Sequence, residues 1–600
     1  MTPIGAEISD RIWRAKYRYG QEATIADSWR RIAHTLAAVE TRDRAVWEER
    51  FLGILKDFRF LPGGRIQAGA GTERNVTLFN CFVMGTIEDS IRGIFSALEE
   101  GALTMQQGGG IGYDFSTLRP RGAEAKMVGT IASGPVSFMH VWDAMCGTIL
   151  STGARRGAMM ATLRCDHPDI DEFILAKQQA GALRRFNLSV QITDAFMGAV
   201  RQDVEWPLLF PVATFDGSGE TILRDWPGLK EPVPCRVVRR MRARELWERI
   251  LRATYQYAEP GVLFINHING LNNLWYCERI SATNPCGEIP LPPYGACDLG
   301  SINLTRLVNA PFTHHAKLEI ETLKDTIRVA VRLLDNVIDA SRFPLPQQAK
   351  SAKDTRRIGL GVTELADALL MLGLCYGSDQ SLALAADLMA LICHTAYRAS
   401  VALAEEKGSF PSFDRDKYLQ GAFIRALPDD IRTGIAKSGI RNSHLIAIAP
   451  TGTISLLAGN VSSGLEPIFA PSYGRKILNE HGHPEELPLT DYAVQLWRET
   501  TGVAEDLPPG FATANELPVL AHLDMQAALQ PYVDNSISKT INVPEDFPFS
   551  EFCQIYDLAY EKGLKGCTTF RPNPVREAVL SGAGDGEDAP HCCVLEREAD

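Results

Sequence analysis

The chain has 600 residues, of which 45% are hydrophobic, so it can build several domains or one large core. Its 61 basic and 73 acidic residues leave a net charge of −12, which argues against a protein that coats nucleic acid through a basic face. A small anionic substrate remains compatible with this charge, because a pocket can be locally basic. The N-terminus carries acidic residues, and there is no apolar run of roughly 18 residues. We therefore expect a cytoplasmic protein without a signal peptide or membrane span.

The N-terminal region, residues 1–79, is predicted to be mainly helical, because Trp, Leu and Ile recur at helical spacing in it. From 80 to 580, short apolar runs alternate with helical patterns, which is typical of an α/β fold. The runs 261–266 and 443–450 are predicted to be buried strands. The segment 581–600 is rich in glycine and acidic residues and is predicted to be a flexible tail.

One helix is predicted with particular clarity, at ETLKDTIRVAVRLLDNVIDA, residues 321–340. Its apolar side chains recur every three or four residues and form one stripe, made of Leu323, Ile327, Ala330, Leu334 and Ile338. Such a stripe predicts a helix that packs against the core of the protein.

The 13 cysteines are expected to be thiols, since disulfides are not the default in a reducing compartment. No pair has C-x-x-C spacing, so a zinc ribbon or a thioredoxin-type site is unsupported, and we predict no protein metal site. Most of these cysteines are expected to be small buried apolar residues. Only cysteines in an unusual local context call for a chemical role.

The most informative context is SATNPCGEIPLPPYGACDLGSINL, residues 281–304. Pro285 and Gly287 disfavour a helix, so this segment is predicted to be extended or looped. In an extended chain Asn284, Cys286 and Glu288 lie on one face, but Asn284 and Glu288 would be about 13 Å apart, too far to reach one small substrate. The chain must therefore curl, and Gly287 is where it can.

The predicted result is an amide, a thiol and a carboxylate that converge at a loop tip. The amide could bind a hydroxyl group, the carboxylate could take its proton, and the thiol could exchange a hydrogen atom. The alternative is a connection rich in Pro and Gly with one incidental buried cysteine.

Two further segments could approach a ligand with their backbone. The glycines Gly108, Gly109, Gly110 and Gly112 permit close approach, although Tyr113 breaks the G-x-G-x-x-G pattern of a dinucleotide fingerprint. PTGTIS, residues 450–455, offers N–H groups and hydroxyls at a predicted helix start, which could cradle a phosphate or simply cap the helix.

Taken in order, these segments resemble the ribonucleotide reductase family. NPCGE with a cysteine eleven residues after Cys286 resembles its active-site finger loop. Four other segments are similar to the first-strand redox cysteine motif, the glycine-rich strand, the specificity loop and the phosphate turn: FNCFVMGTIEDSI, QQGGGIGYDFSTLRPRGA, STGARRGAMMATLRCDHPDIDEFI and APTGTISLLAGNVSSGLEP. The resemblance implies a ten-stranded α/β barrel of two antiparallel five-stranded half-sheets with a central finger loop, in addition to the N-terminal helical region.

The resemblance also implies catalytic roles. Cys286 would become the thiyl radical that removes the 3′ hydrogen of the ribose, Glu288 would take the 3′-hydroxyl proton, and Asn284 would bond the ribose. Cys81 and Cys297 would supply two electrons and end as a disulfide. The substrate-contacting set implied by the family is Asn80, Cys81, Gly110, Asn284, Cys286, Glu288, Pro450, Thr451, Gly452, Thr453 and Ile454.

Regulation and partners follow from the same resemblance. A specificity effector, a deoxynucleotide or ATP, would bind at the face of a homodimer through Asp89, Ser90, Arg119, Arg121, Arg155 and Arg156. The tail pair Cys592 and Cys593 would shuttle electrons from a thioredoxin- or glutaredoxin-type reductant, although family tails usually space the two cysteines apart. Only about 80 residues precede Cys81, so we expect no ATP-cone activity domain.

The expected radical source is adenosylcobalamin. In the branch that is fed by a metal subunit, two adjacent tyrosines relay the radical, and here the matching positions are Thr568 and Thr569. No R-V-x-G-Y-like glycyl-radical segment occurs, and no Asp-x-His is present to replace the cofactor's own base. Two alternatives remain: a reductase of another subclass, and a non-catalytic nucleotide-binding homologue, which the set of catalytic residues disfavours. The resemblance favours diphosphate over triphosphate substrates.

Overall fold

The computed structural model describes residues 5–125, 130–151, 155–179, 181–215, 218–229, 231–478, 484–503, 506–572 and 580–582. The predicted tail pair Cys592 and Cys593 lies outside these residues. The helices in chain order are α1 (Ala6–Ile12), α2 (Ile25–Ala37), α3 (Arg44–Leu55), α4 (Gly64–Gly69), α5 (Ile91–Gln106), α6 (Pro135–Thr148), α7 (Ile170–Leu175), α8 (Asp194–Gln202), α9 (Ala243–Tyr257), α10 (Ile265–Gly270), α11 (Ile320–Ala340), α12 (Pro346–Thr355), α13 (Leu365–Met371), α14 (Asp379–Lys407), α15 (Arg415–Tyr418), α16 (Ala422–Arg425), α17 (Asp429–Ser438), α18 (Gly452–Leu457), α19 (Tyr492–Thr501), α20 (Val519–Leu529) and α21 (Phe549–Glu561).

The strands in chain order are β1 (Phe60–Pro62), β2 (Cys81–Val83), β3 (Gly110–Asp114), β4 (Glu124–Ala125), β5 (Thr130–Ile131), β6 (Leu150–Ser151), β7 (Arg155–Arg156), β8 (Met159–Arg164), β9 (Phe186–Ile192), β10 (Glu205–Pro211), β11 (Thr221–Arg224), β12 (Val233–Arg242), β13 (Gly261–Phe264), β14 (Ala282–Thr283), β15 (Pro290–Leu291), β16 (Ala296–Asn303), β17 (Val308–Asn309), β18 (Lys317–Leu318), β19 (Ile358–Thr363), β20 (Ser472–Leu478), β21 (Pro484–Thr490), β22 (Thr540–Asn542), β23 (Gly566–Phe570) and β24 (Leu580–Gly582). The predicted α/β class is confirmed.

The N-terminal region is mainly helical, as its periodicity predicts, with α1 to α4 interrupted by β1. Helix α2 buries Ile32 and Leu36, and it packs against α3 and α11. The predicted stripe of α11 is buried along its whole length, from Leu323 to Ile338. The helix is buried more widely than this stripe, because every residue from Val329 to Ile338 is buried.

Ten strands form the main sheet, in the order β1-β16-β2-β3-β8-β9-β13-β23-β22, with β19 beside β16. From β2 to β13 the five neighbouring strands are all parallel. The other five strands include the parallel pairs β16–β19 and β22–β23. The two groups meet at antiparallel junctions, β2 with β16 and β13 with β23. The two five-stranded groups therefore run antiparallel to each other, while most neighbouring strands within each group are parallel.

Within the described residues, the ladders do not run continuously around a closed barrel. Between β19 and β22 the pairing consists of two single bridges, Leu360 with Ile446 and Ile448 with Ile537. The strand that the apolar run 443–450 predicts is thus reduced to these bridges, although its residues from Leu445 to Ile448 are fully buried. Periodicity cannot distinguish a paired strand from an extended buried segment.

Helix α14 is long and apolar enough, by length and composition, to cross a membrane. Half of its most apolar window is buried inside the molecule, where α14 packs against α11, α17 and α20. The core helix of a globular protein meets the same criteria, so this helix is weak evidence for a membrane span.

A short hairpin, β14 paired with β15, carries the residues of the predicted finger loop into the middle of the sheet. It runs so close to β3 that a Cβ atom on Gly112 would lie 1.8 Å from the Thr283 carbonyl oxygen. A Cβ on Gly110 would lie 3.2 Å from the Pro285 ring. The hairpin backbone therefore passes directly against β3, and the glycines at positions 110 and 112 leave the space for it.

We expect Gly112→Ala to lower the free energy of unfolding by on the order of 1–3 kcal/mol, because the added methyl group displaces the hairpin. Gly198→Ala is a matched control: this glycine lies in α8 with no atom within 4 Å of an added Cβ. The control should be neutral or stabilising by up to about 1 kcal/mol. Urea denaturation measures both variants, and equal stability of the two would contradict the proposed close approach.

Candidate active site

The hairpin tip, residues 284–289, curls where the sequence predicts. Gly287 has a φ of +84°, a conformation that favours glycine. The Asn284 side chain stabilises the curl, since its Oδ1 accepts the Ile289 N–H at 3.0 Å. Its backbone carbonyl also accepts the Gly287 N–H at 3.2 Å. The local sequence N-P-C-G-E thus builds a tight loop that is closed by its own first residue.

Three of the predicted catalytic residues converge at this tip. The Asn284 side-chain amide donates to the Cys81 sulfur at 3.1 Å, and the Cys81 thiol donates to Glu288 Oε1 at 3.7 Å. All three side chains are buried. Residues from the first redox motif and from the finger loop, far apart in sequence, are therefore in direct contact.

Cys81 and Cys297 face each other across the antiparallel junction of β2 and β16, as directly opposed residues. Both are buried and carry free thiols in this structure. Opposed residues in an antiparallel pair have Cα atoms roughly 4.5–5.5 Å apart, within the range that a disulfide spans. Burial raises the pKa of both thiols well above the ordinary value. The sheet thus brings together two protonated cysteines that are 216 positions apart.

Glu288 lies deep in the protein, with 1% of its surface exposed. Its Oε2 atom is buried without a hydrogen-bond partner among the described residues. Burial raises the pKa of this carboxyl to about 7, against the lowering effect of hydrogen bonds from Asn284 and Cys81. A carboxyl group with a pKa near neutrality can both accept and return a proton.

Cys286 itself is only half-buried and faces a cavity of about 260 Å³. The cavity is also lined by Pro450 and Gly452 of the predicted phosphate turn. Ser189, Gly261 and Thr568 contribute small side chains to its wall. The loop cysteine is thus accessible to a ligand, while the carboxylate and the two opposed thiols are covered.

The predicted phosphate turn begins a helix, α18, as expected, but its residues differ in their surroundings. Thr451 is fully buried, and its hydroxyl contacts Thr363 Oγ1 at 2.9 Å and accepts the Gly464 N–H at 2.8 Å. Thr453 and Ile454 are also buried. Pro450 and Gly452 line the cavity. The contact of the five predicted residues, from Pro450 to Ile454, with substrate phosphates stays a prediction.

Asn80 and Gly110, two further predicted substrate contacts, are neighbours across β2 and β3. The Asn80 carbonyl accepts the Gly110 N–H at 2.8 Å. Gly110 also lies against Pro285 of the finger loop. Both residues therefore border the hairpin, and their role toward a substrate stays a prediction.

The predicted effector residues Asp89, Ser90, Arg119 and Arg121 are partly or fully exposed. Arg119 pairs with Asp89 at 2.9 Å, and Ser90 caps α5 by accepting the Gly93 N–H at 3.0 Å. Arg121 pairs with Glu172 at 3.0 Å. Arg155 and Arg156 form β7, opposite β6, and their side chains lie outside the described part of the structure.

Sequence reasoning missed three polar residues that hold the hairpin, two at its stem and one at its tip. Thr162 and Gln191 both donate to the Ser281 carbonyl, at 2.9 and 2.8 Å. Asn187 donates to the Pro285 carbonyl at 2.7 Å. The signal in the sequence was the alternation of Asn187, Ser189 and Gln191 with apolar residues in strand FNLSVQI, which marks a polar inner face.

Because the pKa of Glu288 is raised to about 7 in the folded protein, the native chain should lose stability as pH rises from about 4.5 through 7. The folded state then has to hold a buried carboxylate that the unfolded state keeps in water. Glu288→Gln removes this titration, so the stability difference between the native chain and the variant should change by about 2 kcal/mol between pH 5.5 and 8. Denaturant titrations at both pH values measure it, and parallel pH profiles would contradict the raised pKa.

Comparisons with known proteins agree with this arrangement of residues. The model of the ribonucleotide reductase barrel domain matches residues 79–570, and that of the ribonucleotide reductase all-alpha domain matches residues 6–75. A relative from Mycobacterium tuberculosis (strain CDC 1551 / Oshkosh), named vitamin B12-dependent ribonucleoside-diphosphate reductase, is 38% identical over 556 residues, which are 90% of this chain and 74% of the relative. A relative of the same name from Thermoplasma acidophilum is 36% identical over 557 residues, 90% of this chain and 66% of the relative. The ribonucleoside-diphosphate reductase subunit alpha of Chlamydia pneumoniae is 27% identical, over 90% of this chain and 56% of that protein. The chain belongs to the ribonucleotide reductase family.

Proposed function

We propose that this chain reduces ribonucleotides to 2′-deoxyribonucleotides for DNA synthesis through a thiyl radical on Cys286, with adenosylcobalamin as the radical source. The observation that carries the proposal is the convergence of Asn284, Cys81 and Glu288 at the hairpin tip, with Cys297 opposite Cys81. A nucleotide-binding homologue without catalysis would have no need for a buried carboxyl group beside two buried thiols.

The residues divide the reaction between them. The Cys286 radical takes the 3′ hydrogen atom of the ribose, and Glu288 takes the proton of the 3′ hydroxyl, for which its pKa of about 7 is suited. The Asn284 amide holds the ribose in reach. Water then leaves C2′, and the Cys81 and Cys297 thiols supply two electrons and two protons and become a disulfide. Cys286 finally returns the hydrogen atom to C3′ and recovers its radical.

Adenosylcobalamin supplies, when bound, the one-electron chemistry that turns the Cys286 thiol into a radical. The small residues Ser189, Gly261 and Thr568 line the cavity beside Cys286. They pack closely, since a Cβ on Gly261 would lie 3.2 Å from Thr568 Oγ1 and 3.4 Å from Ser189 Oγ. No histidine is among the cavity-lining residues of the described chain, so we expect the cofactor to retain its own base.

The two positions that would carry a tyrosine relay, Thr568 and Thr569, also support adenosylcobalamin as the radical source. Thr568 lies in the cavity wall, and the Thr569 hydroxyl is buried at 2.9 Å from the Tyr556 hydroxyl. A threonine hydroxyl has no accessible one-electron oxidation, so a radical from a separate subunit could not pass through these two residues. The names of the Mycobacterium tuberculosis and Thermoplasma acidophilum relatives also specify vitamin B12 and ribonucleoside diphosphates, which we propose as cofactor and substrate.

We further propose a cytoplasmic homodimer that is regulated by a nucleotide effector. Helix α5 exposes Ile91, Phe95 and Leu103, an apolar face that a second subunit could cover. Asp89 and Ser90 immediately precede this helix, so an effector bound there would touch the subunit interface. Thioredoxin or a glutaredoxin-type protein would re-reduce Cys81 and Cys297 through Cys592 and Cys593, which lie outside the described residues.

Cys286→Ser should abolish reduction while nucleotide binding, measured by calorimetry, stays within a few-fold of native. The two side chains are similar in size, but a hydroxyl does not form a radical under conditions where a thiol does. The assay is deoxynucleotide formation by the purified chain with effector and dithiol, with and without adenosylcobalamin. Turnover by the serine variant would remove Cys286 from the mechanism. Activity that is independent of adenosylcobalamin and requires an iron- or manganese-loaded partner would contradict the proposed cofactor.

Cys81→Ser or Cys297→Ser should fail to sustain multiple turnovers with a dithiol, because only a pair of thiols can supply two electrons. In the native chain, peptide mapping after one turnover without reductant should find Cys81 joined to Cys297. Cys235, another buried thiol, is the control and should remain reduced. If Cys81 and Cys297 stay free thiols after a turnover, the reducing pair lies elsewhere in the chain.

A further inference from the structure

The peptide group between Pro285 and Cys286 sets the position of the Cys286 Cα atom. Cys286 stands between Pro285 and Gly287, and Gly287 has the φ of +84° that forms the curl. The Pro285 carbonyl belongs to the peptide bond that leads into Cys286. Whatever holds this carbonyl therefore fixes the peptide plane that contains the Cys286 N and Cα atoms, and with it the point from which the thiol side chain extends.

Asn187 holds it directly. The Asn187 side-chain amide donates to the Pro285 carbonyl oxygen at 2.7 Å, across 98 positions of sequence. Asn187 lies on β9, a strand paired with β8 on one side and with β13 on the other. Because β9 is anchored on both edges, its side chains offer a fixed reference for the loop.

A second set of hydrogen bonds holds the start of the hairpin stem, farther from Cys286 along the chain. Thr162 and Gln191 bond the Ser281 carbonyl, five residues before Cys286. They fix the entry of the stem, whereas the bond from Asn187 is one peptide group from the reacting sulfur. The bonds to Ser281 can therefore position the hairpin stem, and the bond from Asn187 can position the peptide group beside Cys286.

We propose that Asn187 is a positioning residue for Cys286: it fixes the Pro285–Cys286 peptide group, and through it the thiol, at the place where the ribose 3′ hydrogen arrives. This inference rests on the proposed function. Asn187 also lines the cavity, so direct binding of substrate is the competing role that the experiment has to separate.

Two substitutions of Asn187 distinguish the loss of its hydrogen-bond donor from the loss of its side-chain volume. Asn187→Ala removes the hydrogen bond, and we expect kcat to fall roughly ten- to a hundredfold with KM unchanged, the cost of a misplaced reacting group. Asn187→Asp keeps the shape, but its carboxylate cannot donate to a carbonyl oxygen until it is protonated. Its kcat relative to native should therefore recover as pH falls, while the ratio for Asn187→Ala stays flat. Asn309→Ala, which removes an exposed amide bonded to Glu319, is the control and should match native.

A readout without turnover tests the same claim. The rate of iodoacetamide labelling at Cys286, followed by mass spectrometry, should change several-fold in Asn187→Ala and not in Asn309→Ala. A raised KM with native kcat would overturn the proposal, because Asn187 would then bind substrate. Native-like kcat in Asn187→Asp at every pH, or unchanged labelling in Asn187→Ala, would also overturn it. If the native chain reduces no ribonucleotide, the proposed function fails, and the labelling rates still decide whether Asn187 positions Cys286.

Discussion

The interior of this protein is organised by the need to satisfy the peptide groups of a hairpin that passes through the middle of a sheet. Buried carbonyl and N–H groups are costly unless they find partners. The stem carbonyl at Ser281 receives two side-chain donors, the tip carbonyl at Pro285 receives one, and the Glu288 carbonyl accepts the Ser536 N–H at 2.9 Å. At Gly112 of β3 the hairpin backbone leaves no room for a side chain, because an added Cβ would lie 1.8 Å from the Thr283 carbonyl oxygen.

Burial of the hairpin also sets the chemistry of its side chains. Loss of water is the largest cause of the raised pKa of Glu288, and likewise of Cys81 and Cys297. For the carboxyl group the result is a pKa near 7, so a proton can be taken and returned at little cost. For the thiols the result is that they stay protonated, which suits donors of hydrogen and electrons better than nucleophiles. One physical effect thus prepares a base and a reductant at the same place.

Cys286 departs from this pattern, because it faces the cavity while its neighbours are covered. A radical centre has to meet both its substrate and the group that generates it, whereas the reducing thiols only have to meet the substrate afterwards. The curl at Gly287 produces this difference: it turns Cys286 toward the cavity and returns Glu288 to the interior. The family's barrel therefore provides a scaffold in which accessibility changes sharply over two residues.

The sequence by itself determined what depends on near neighbours. The stripe of α11, the extended or looped course of residues 281–288, and the curl at Gly287 follow from spacing and from the conformational limits of Pro and Gly. The resemblance of five ordered motifs added the family, the ten strands and the candidate catalytic residues. The strand at 443–450 was predicted too strongly, since periodicity does not register whether a buried extended segment finds ladder partners.

Only the tertiary structure decided that Cys81 stands opposite Cys297, that Asn187 reaches Pro285, and that the Thr451 hydroxyl contacts Thr363 and Gly464. These contacts join residues that lie 13 to 216 positions apart, and strand register, which local sequence does not encode, sets the longest of them. The raised pKa of Glu288 belongs to the same class, because desolvation is the sum of all the chain segments that exclude water from one carboxyl group.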